Sequence, residues 1–419
     1  MKILFVTREP PWPLHGGARI RGYHLLRGLA GEHEVHLLCC ASVRQAVDLQ
    51  RVLGGICRGI MTVEEPMTRP PWIRMWDTAT TPVPDLTLRY DDDRVVHGLR
   101  EALDAGSFDL VHITGLEMVR PVLRAMAGRR YRPRPRLVLD AQNAEHLLQR
   151  RAARVADDGI AGSPIALYSW VQARKLARYE HGLGSRLDGI LAVSDEDRTA
   201  FLRLGLRLPI EVVPNGVYTE VYRPPADRRQ SPSVAAQAPP RLLFTGTMDY
   251  RPNVDAVCWF VDRILPGILE RHPMAVLDVA GSRPSERIAA LGGPHVAIHG
   301  EVDDDAPFFE NASAFVLPMR FGAGSRLKLL QALASGSPVV TTTCGAEGVR
   351  VADGRDVLVR DGPYEFADAA ASVIEDRLLA FRLGVEARTT ALRYDWSAIV
   401  PGLLDFYRRL NARRITVAR

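Results

Sequence analysis

The stretch "RPPADRRQSPSVAAQAPPRLLFTGTM", Arg223–Met248, interrupts the pattern of the chain and then restarts it. Up to Pro240 it is rich in Pro, Ala and polar residues, which reads as an interdomain linker. At Arg241 an apolar run resumes as a strand. Upstream, "KILFVT" (Lys2–Thr7) reads as a strand, and "GGARIRGYHLLRGLAGE" from Gly16 as an amphipathic helix stopped by Gly31. "HEVHLLCCA", "FDLVHIT", "RLVLDAQN", "LDGILAVS" and "IEVVPNGV" continue as strands, with helical spacing around Arg94–Leu103. Downstream, "AVLDVAG", "HVAIHG", "ASAFVLPM", "PVVTTT" and "DVLVRDG" alternate with helical stretches in the same way. These strands are continuous apolar runs, as expected of a parallel sheet with both faces covered. The fold class is therefore α/β: two Rossmann-like, doubly wound domains at 1–222 and 241–395, joined by a linker at 223–240. A terminal helix over 396–414 is expected to pack back on the first domain. Such domains bind ligands at the carboxyl ends of their strands, so the pair is expected to face a central cleft.

Composition narrows the function. Of 419 residues, 47% are hydrophobic and 25% charged, as in an ordinary globular enzyme. The five cysteines form no CxxC pair, which argues for a reducing compartment and against a zinc ribbon. No apolar run is long enough to span a bilayer, and "MKILFVTREPP" reads as a buried strand rather than a signal peptide. A cytoplasmic protein is expected. The net charge of +5 is nearly all arginine, since Lys2, Lys175 and Lys328 are the only lysines. The cluster "RRYRPRPR" at Arg129–Arg136 is a candidate contact for acidic lipid headgroups or phosphates. No aromatic-interleaved basic motif accompanies it, so nucleic acid is not expected. The Pro-rich excursion Met61–Pro84 carries Trp72 and Trp76 on one helical face. It reads as a packed lid, with an acceptor or membrane-surface loop as the other reading.

Two stretches carry ligand chemistry. The loop "REPPWPLHGG", Arg8–Gly17, joins the first strand to the first helix. Gly16 and Gly17 let a ligand approach the backbone at a helix N-terminus, but the G-x-G-x-x-G spacing of dinucleotide sites is missing. "FGAGSRLKLLQALASGSPVV", Phe321–Val340, is more specific. It reads as a helix that places Arg326 in its first turn with Lys328 close behind. The backbone N–H groups of Gly322, Ala323, Gly324 and Ser325 are expected to point the same way. Cations at a helix N-terminus oppose the helix dipole unless an anion is present, so a diphosphate held without metal is the natural ligand.

At this point the chain resembles the retaining glycosyltransferases of family 4, which have the GT-B fold. In order along the chain, the resemblance rests on "PPWPLHGGARIR", "ILAVSDEDRTAF", "VVPNGVYTEVYRP", "FTGTMDYRPNVDAV" and "LPMRFGAGSRLKLLQALASGSPVVTTTCGAEGV". Within that family the chain is most similar to sugar transferases of bacterial exopolysaccharide systems. The resemblance implies a nucleotide-diphosphate sugar as donor, held mainly by the second domain. It also implies a glycan, lipid-linked glycan or small molecule as acceptor, retention of configuration, and no required metal or other cofactor. The implied donor contacts are Gly16, Gly17, Gly246, Gly322, Ala323, Gly324, Ser325, Arg326, Lys328, Gln331 and Glu347. Two positions where the family carries glutamates hold Ala323 and Gln331. "GTMDYRPN" has Arg251 alone where relatives place an Arg and a Lys, which shifts the diphosphate onto Arg326 and Lys328. In "DAQNAEH", Gln142 stands at the family's histidine position; Asn143, Glu145 and, on another strand, His112 are the catalytic-side candidates. Tyr218 replaces the usual Asp after "PNGV", where Gly216 is expected to supply a turn. Two other readings remain: a sugar-nucleotide epimerase or phosphorylase on the same architecture, and a non-catalytic nucleotide-sugar-binding subunit.

Overall fold

The computed structural model describes residues 1–157, 164–224, 239–324 and 326–417; most of the stretch read as a linker, and Ser325, lie outside the described residues. The chain divides into two compact units, Met1–Pro214 with Val400–Arg419, and Asn215–Ile399.

The first unit is built on β1 (Lys2–Thr7), β2 (Glu34–Cys40), β3 (Gly59–Val63), β4 (Leu110–Thr114), β5 (Arg136–Ala141), β6 (Gly189–Ala192) and β7 (Ile210–Val212). They form one seven-stranded sheet in the order β3-β2-β1-β4-β5-β6-β7, and every pairing is parallel. Ile3 to Val6 are fully buried, as are Val111, Ile113, Val138 and Leu139. The apolar runs are therefore covered on both faces. The second unit repeats the plan with β8 (Arg241–Thr245), β9 (Val276–Ala280), β10 (Val296–Gly300), β11 (Ala314–Leu317), β12 (Val339–Thr341) and β13 (Leu358–Val359). Its order is β10-β9-β8-β11-β12-β13, again all parallel. In each sheet the strand order reverses once, between β1 and β4 and between β8 and β11. In doubly wound folds ligands bind outside the carboxyl ends of the strands at such a reversal.

The core of the first unit holds a polar knot. Arg21, on the helix Gly17–Ala30, is 1% exposed; its Nε lies 3.0 Å and its Nη2 2.6 Å from the Asp140 carboxylate at the end of β5. Its Nη1 donates to the Pro214 carbonyl at 3.1 Å. His112 sits beside this pair. The sequence set it at a strand end among the catalytic candidates, but it lies in the middle of β4 and is fully buried. Its ring stacks on Phe5 with centroids 4.2 Å apart and bonds to the Tyr407 hydroxyl. Burial lowers its pKa to about 4, so it is neutral at pH 7. It is a core histidine with no open face.

Gly216 also differs from expectation. It has no positive φ; a Cβ there would meet the Trp396 ring at 2.6 Å, so close packing selects glycine at this position. Three of the five arginines in the basic cluster Arg129–Arg136 are paired: Arg129 with Asp104 at 2.6 Å, and Arg134 and Arg136 with Asp188 at 3.2 and 3.8 Å. Among the described residues, no helix is long and apolar enough to cross a membrane.

Removing one member of a buried ion pair strands the other charge. Asp140→Ala is expected to lower the stability of the first unit by about 3–5 kcal/mol. Urea unfolding followed by circular dichroism checks this; a loss below ~1 kcal/mol contradicts it.

Candidate functional site

In the second unit, the loops that leave β8 and β11 meet at the strand-order reversal. β8 ends at Thr245 and the helix Arg251–Trp259 begins six residues on; β11 ends at Leu317 and the helix Leu327–Ala334 follows. Two helix N-termini therefore share one edge, each presenting backbone N–H groups that no turn of its own helix satisfies. Lys328 joins them: its ammonium donates to Asn253 Oδ1 at 2.7 Å and lies over the Phe244 ring, 4.3 Å from the centroid. Asn253 in turn donates to the Thr247 carbonyl at 2.8 Å, which fixes the loop after β8. Gly246 (φ 144°) packs so near that a Cβ there would lie 2.6 Å from the Lys328 ammonium. Burial and the charge of Arg326 lower the Lys328 pKa well below the ordinary lysine range. A bound anion would oppose both effects by favouring the charged form.

Arg326 does something other than the sequence implied. It is the N-cap of the helix, in extended conformation, rather than a first-turn residue. Its guanidinium turns back to the carbonyls of Ala323, Gly324 and Cys344. Gly322, Ala323 and Gly324 are buried around it, and a Cβ on Gly322 would meet its Nη2. The arginine is thus the internal strut of the glycine loop, while Lys328 bridges its helix to Asn253 after β8. Gln331 is buried one turn further along the helix. Its Nε2 donates to the Tyr222 hydroxyl at 2.6 Å, and that hydroxyl donates to Asp305 at 2.7 Å. Glu347 is half-buried at the end of the short helix Thr343–Ala346, after β12. Arg251 is exposed in the first turn of its helix.

The reversal in the first unit is acidic instead. Gly16 (φ 90°) and Gly17 open the helix after β1 and are exposed. Arg8, leaving β1, pairs with Glu117 beyond β4 and so spans the reversal; the Glu117 charge raises its pKa. Glu145 starts the helix Glu145–Asp157 after β5, and Asn143 donates to its Oε1 at 3.1 Å. Burial and then the Glu117 charge push the Glu145 carboxyl up to about 8, with Glu180 adding and Asn143 and Arg8 opposing. Glu180 is buried between the Glu145 N–H, at 2.9 Å, and the His146 ring. The structure thus brings Asn143 and Glu145 together and leaves His112 out. Arg8, Glu117, His146 and Glu180 were missed; for Arg8 and Glu117 the available signal was a charged residue just beyond a strand's carboxyl end, while His146 and Glu180 lie within helices and offered none. The "VSDED" motif proves architectural: Ser194 accepts from the Asp197 N–H at 3.0 Å, and Asp197 accepts from the Ala144 N–H at 2.8 Å, which fixes the loop that carries Glu145. Among the described residues no three His, Cys, Asp or Glu side chains converge as a metal cluster.

The folded protein keeps the Glu145 proton up to about 8, whereas the ordinary glutamate value is 4.5. Between those values the folded state binds more protons, so this group's contribution to stability falls as pH rises. Glu145→Gln removes that dependence. Relative to wild type, the variant is expected to gain roughly 1–3 kcal/mol between pH 5 and pH 8.5, discounted for partial exposure. Denaturant midpoints across that range check it; a constant difference contradicts it.

Residues 15–221 match the family described as Glycosyltransferase Family 4, and residues 239–376 match Glycosyl transferases group 1. Among curated relatives, the lipopolysaccharide core biosynthesis mannosyltransferase LpsB of Rhizobium meliloti (strain 1021) is 28% identical over 207 residues, 46% of this chain and 57% of the relative. A D-inositol 3-phosphate glycosyltransferase of Corynebacterium glutamicum (strain R) is 32% identical over 226 residues, 47% of this chain and 51% of the relative. The chain thus spans little more than half the length of these relatives. Among solved structures, the sucrose-phosphate synthase of Thermosynechococcus elongatus superposes with a TM-score of 0.70 at 18% identity, covering 99% of this chain and 100% of that one. Anabaena HepE in complex with UDP and glucose gives 0.67 at 15%, covering 97% and 99%. The two families occur in order on two parallel, Rossmann-like sheets, and the chain belongs to the GT-B glycosyltransferases of the family 4 type.

Proposed function

We propose that the chain is a glycosyltransferase that moves a hexosyl group from a nucleotide-diphosphate sugar to a glycan, lipid-linked glycan or small-molecule acceptor, with retention of anomeric configuration and without a metal. The observation that carries this reading is Lys328 at the strand-order reversal of the second unit, within the group 1 region. It is a lysine held in a low-polarity setting beside two helix N-termini, which suits a diphosphate. In the reaction, the bond from the anomeric carbon to the diphosphate oxygen breaks. The acceptor hydroxyl oxygen bonds to that carbon on the same face, and its proton passes to the departing diphosphate. The protein's main task is then to stabilise the leaving group's charge, which falls to Lys328 and the backbone N–H groups around it. Arg326 keeps the loop in shape. Glu145, protonated near neutrality, serves as a hydrogen-bond donor to a sugar or acceptor hydroxyl rather than as a base. Support comes from the mannosyltransferase among the relatives and from the solved HepE complex with UDP and glucose. The reading places the enzyme in the cytoplasm.

The first test is the thermal shift of the purified protein with UDP, GDP, ADP, dTDP and NAD⁺, each with and without EDTA. One nucleoside diphosphate is expected to raise the melting temperature equally in both conditions. A shift with NAD⁺ alone, or with none, overturns the reading. The two cations should then separate. Lys328→Met is expected to keep its melting temperature and lose about 10–100-fold in affinity for that nucleotide, the worth of a charge-assisted contact. Arg326→Ala is expected to lose both, because three carbonyls lose their donor. Unchanged nucleotide affinity in Lys328→Met removes the lysine from the site.

A further inference from the structure

The excursion after β3 folds into a helix, Pro71–Thr80, and that helix is mounted the wrong way round for an ordinary surface helix. Its polar side faces inward. Arg74 reaches the Asp85 carboxylate at 2.9 Å. Thr78 accepts from Gln172 through its hydroxyl at 3.0 Å and from Lys175 through its carbonyl at 2.7 Å, both on the helix Pro164–Gly182. Its apolar side faces out: Trp72 is 70% exposed, Met75 70% and Trp76 68%, with Met67 just before them at 85%. A soluble amphipathic helix does the opposite. The packed lid expected from the sequence is therefore packed mainly by its polar side, with Ile73 half-buried beside it, and leaves its aromatic side open.

The supporting helix shares the character. Leu167 and Trp170 are exposed on Pro164–Gly182, and Trp170, Arg174 and Arg178 follow at four-residue spacing along one stripe. The Arg174 guanidinium lies over the Trp170 ring, 3.5 Å from its centroid. Glu180 is the only acid in that helix and is buried. Arg150 and Arg154 are exposed on the helix Glu145–Asp157 packed beside it. Among the described residues, Asp77 pairs with Arg69 at 2.7 Å and Glu64 with Arg94 at 3.0 Å. Exposed tryptophans flanked by arginines with no ion-pair partner among the described residues fit the headgroup region of a bilayer, where the rings sit at the interface and the guanidinium groups meet phosphates. A second copy of the same face would set these arginines against one another.

We propose that the outward face of the helix Pro71–Thr80, through Trp72, Met75 and Trp76, rests on a membrane surface bearing anionic lipids, with the Arg174–Arg178 stripe adding the charge contact. The proposal goes beyond the transfer reaction and does not depend on it.

The test is co-sedimentation of the full chain with phosphatidylcholine vesicles and with vesicles containing phosphatidylglycerol, at low and high salt. Wild type is expected to bind the anionic vesicles at least about tenfold more tightly than the neutral ones, and to weaken with salt. The triple variant Trp72→Ser, Met75→Ser, Trp76→Ser is expected to lose at least about tenfold on anionic vesicles. The double variant Arg174→Glu, Arg178→Glu should lose the preference for anionic over neutral lipid. Both sets lie on exposed positions, so the melting temperature and nucleotide response should match wild type, which separates this proposal from the catalytic reading. The proposal is overturned by wild-type indifference to anionic lipid or by variants that bind as wild type does. A dimer seen by light scattering that the triple variant dissolves also overturns it, since a second copy then covers the face.

Discussion

A parallel sheet that starts in its middle must send successive strands to opposite sides at one point. There the loops above the strands diverge, and their polar groups cannot be satisfied by the ladder or by a helix lying across them. This constraint acts twice in the chain, above β1 and β4 and above β8 and β11, and most of the chemistry described above follows from it. Beside the second opening, the loops after β8 and β9 are held together by backbone approach. A Cβ on Gly281 (φ 153°) would lie 1.7 Å from the Gly246 carbonyl oxygen, so any side chain at Gly281 would push the two loops apart. In the first opening, the gap is bridged by charge, Arg8 to Glu117.

The two openings have opposite electrostatics. One holds a carboxyl, Glu145, that burial and neighbouring acids keep from ionising easily; the other holds an ammonium, Lys328, that burial and a neighbouring cation discourage from charging. In both, the group is kept against the state it would prefer in water. The proposed function draws on these two groups, because a ligand of the right kind would relieve the conflict. A protonated carboxyl can donate to hydroxyls, as a sugar offers; a disfavoured ammonium is completed by an anion. Arg21 and Asp140, deeper in the first unit, are bonded to each other and brace the fold.

What the sequence revealed follows the same division. The strands were legible because they are uninterrupted apolar runs, and the glycine loop of Phe321–Gly324 because glycines and cations at a helix start have few other uses. The role of Arg326 was hidden: whether a cation faces outward or props its own loop depends on where three carbonyls fall, and one of them, that of Cys344, comes from the next loop. His112 looked available because strand-end and mid-strand residues look alike in a run such as "LVHITG". Arg8 and Glu117, 109 residues apart, could be joined only by knowing that β1 and β4 are neighbours. The aromatic excursion was left with two readings for a different reason. Helical spacing puts Trp72 and Trp76 on one face, but it does not say which face the rest of the protein will take.

Gln331 shows how a departure from the family pattern is absorbed. The Tyr222 hydroxyl has one proton, and it goes to Asp305, so the oxygen needs a donor from its other side. An amide supplies that donor. A carboxylate would compete with Asp305 for the single proton and set two acceptors at hydrogen-bond distance. Burial raises the Asp305 pKa, which makes a second buried acid at this point still less favourable. Glutamine at 331 therefore matches tyrosine at 222 and aspartate at 305, and the three form a fitted set. A site in decay would be expected to leave such groups unmatched; here the residue that breaks the pattern is the one its neighbours require.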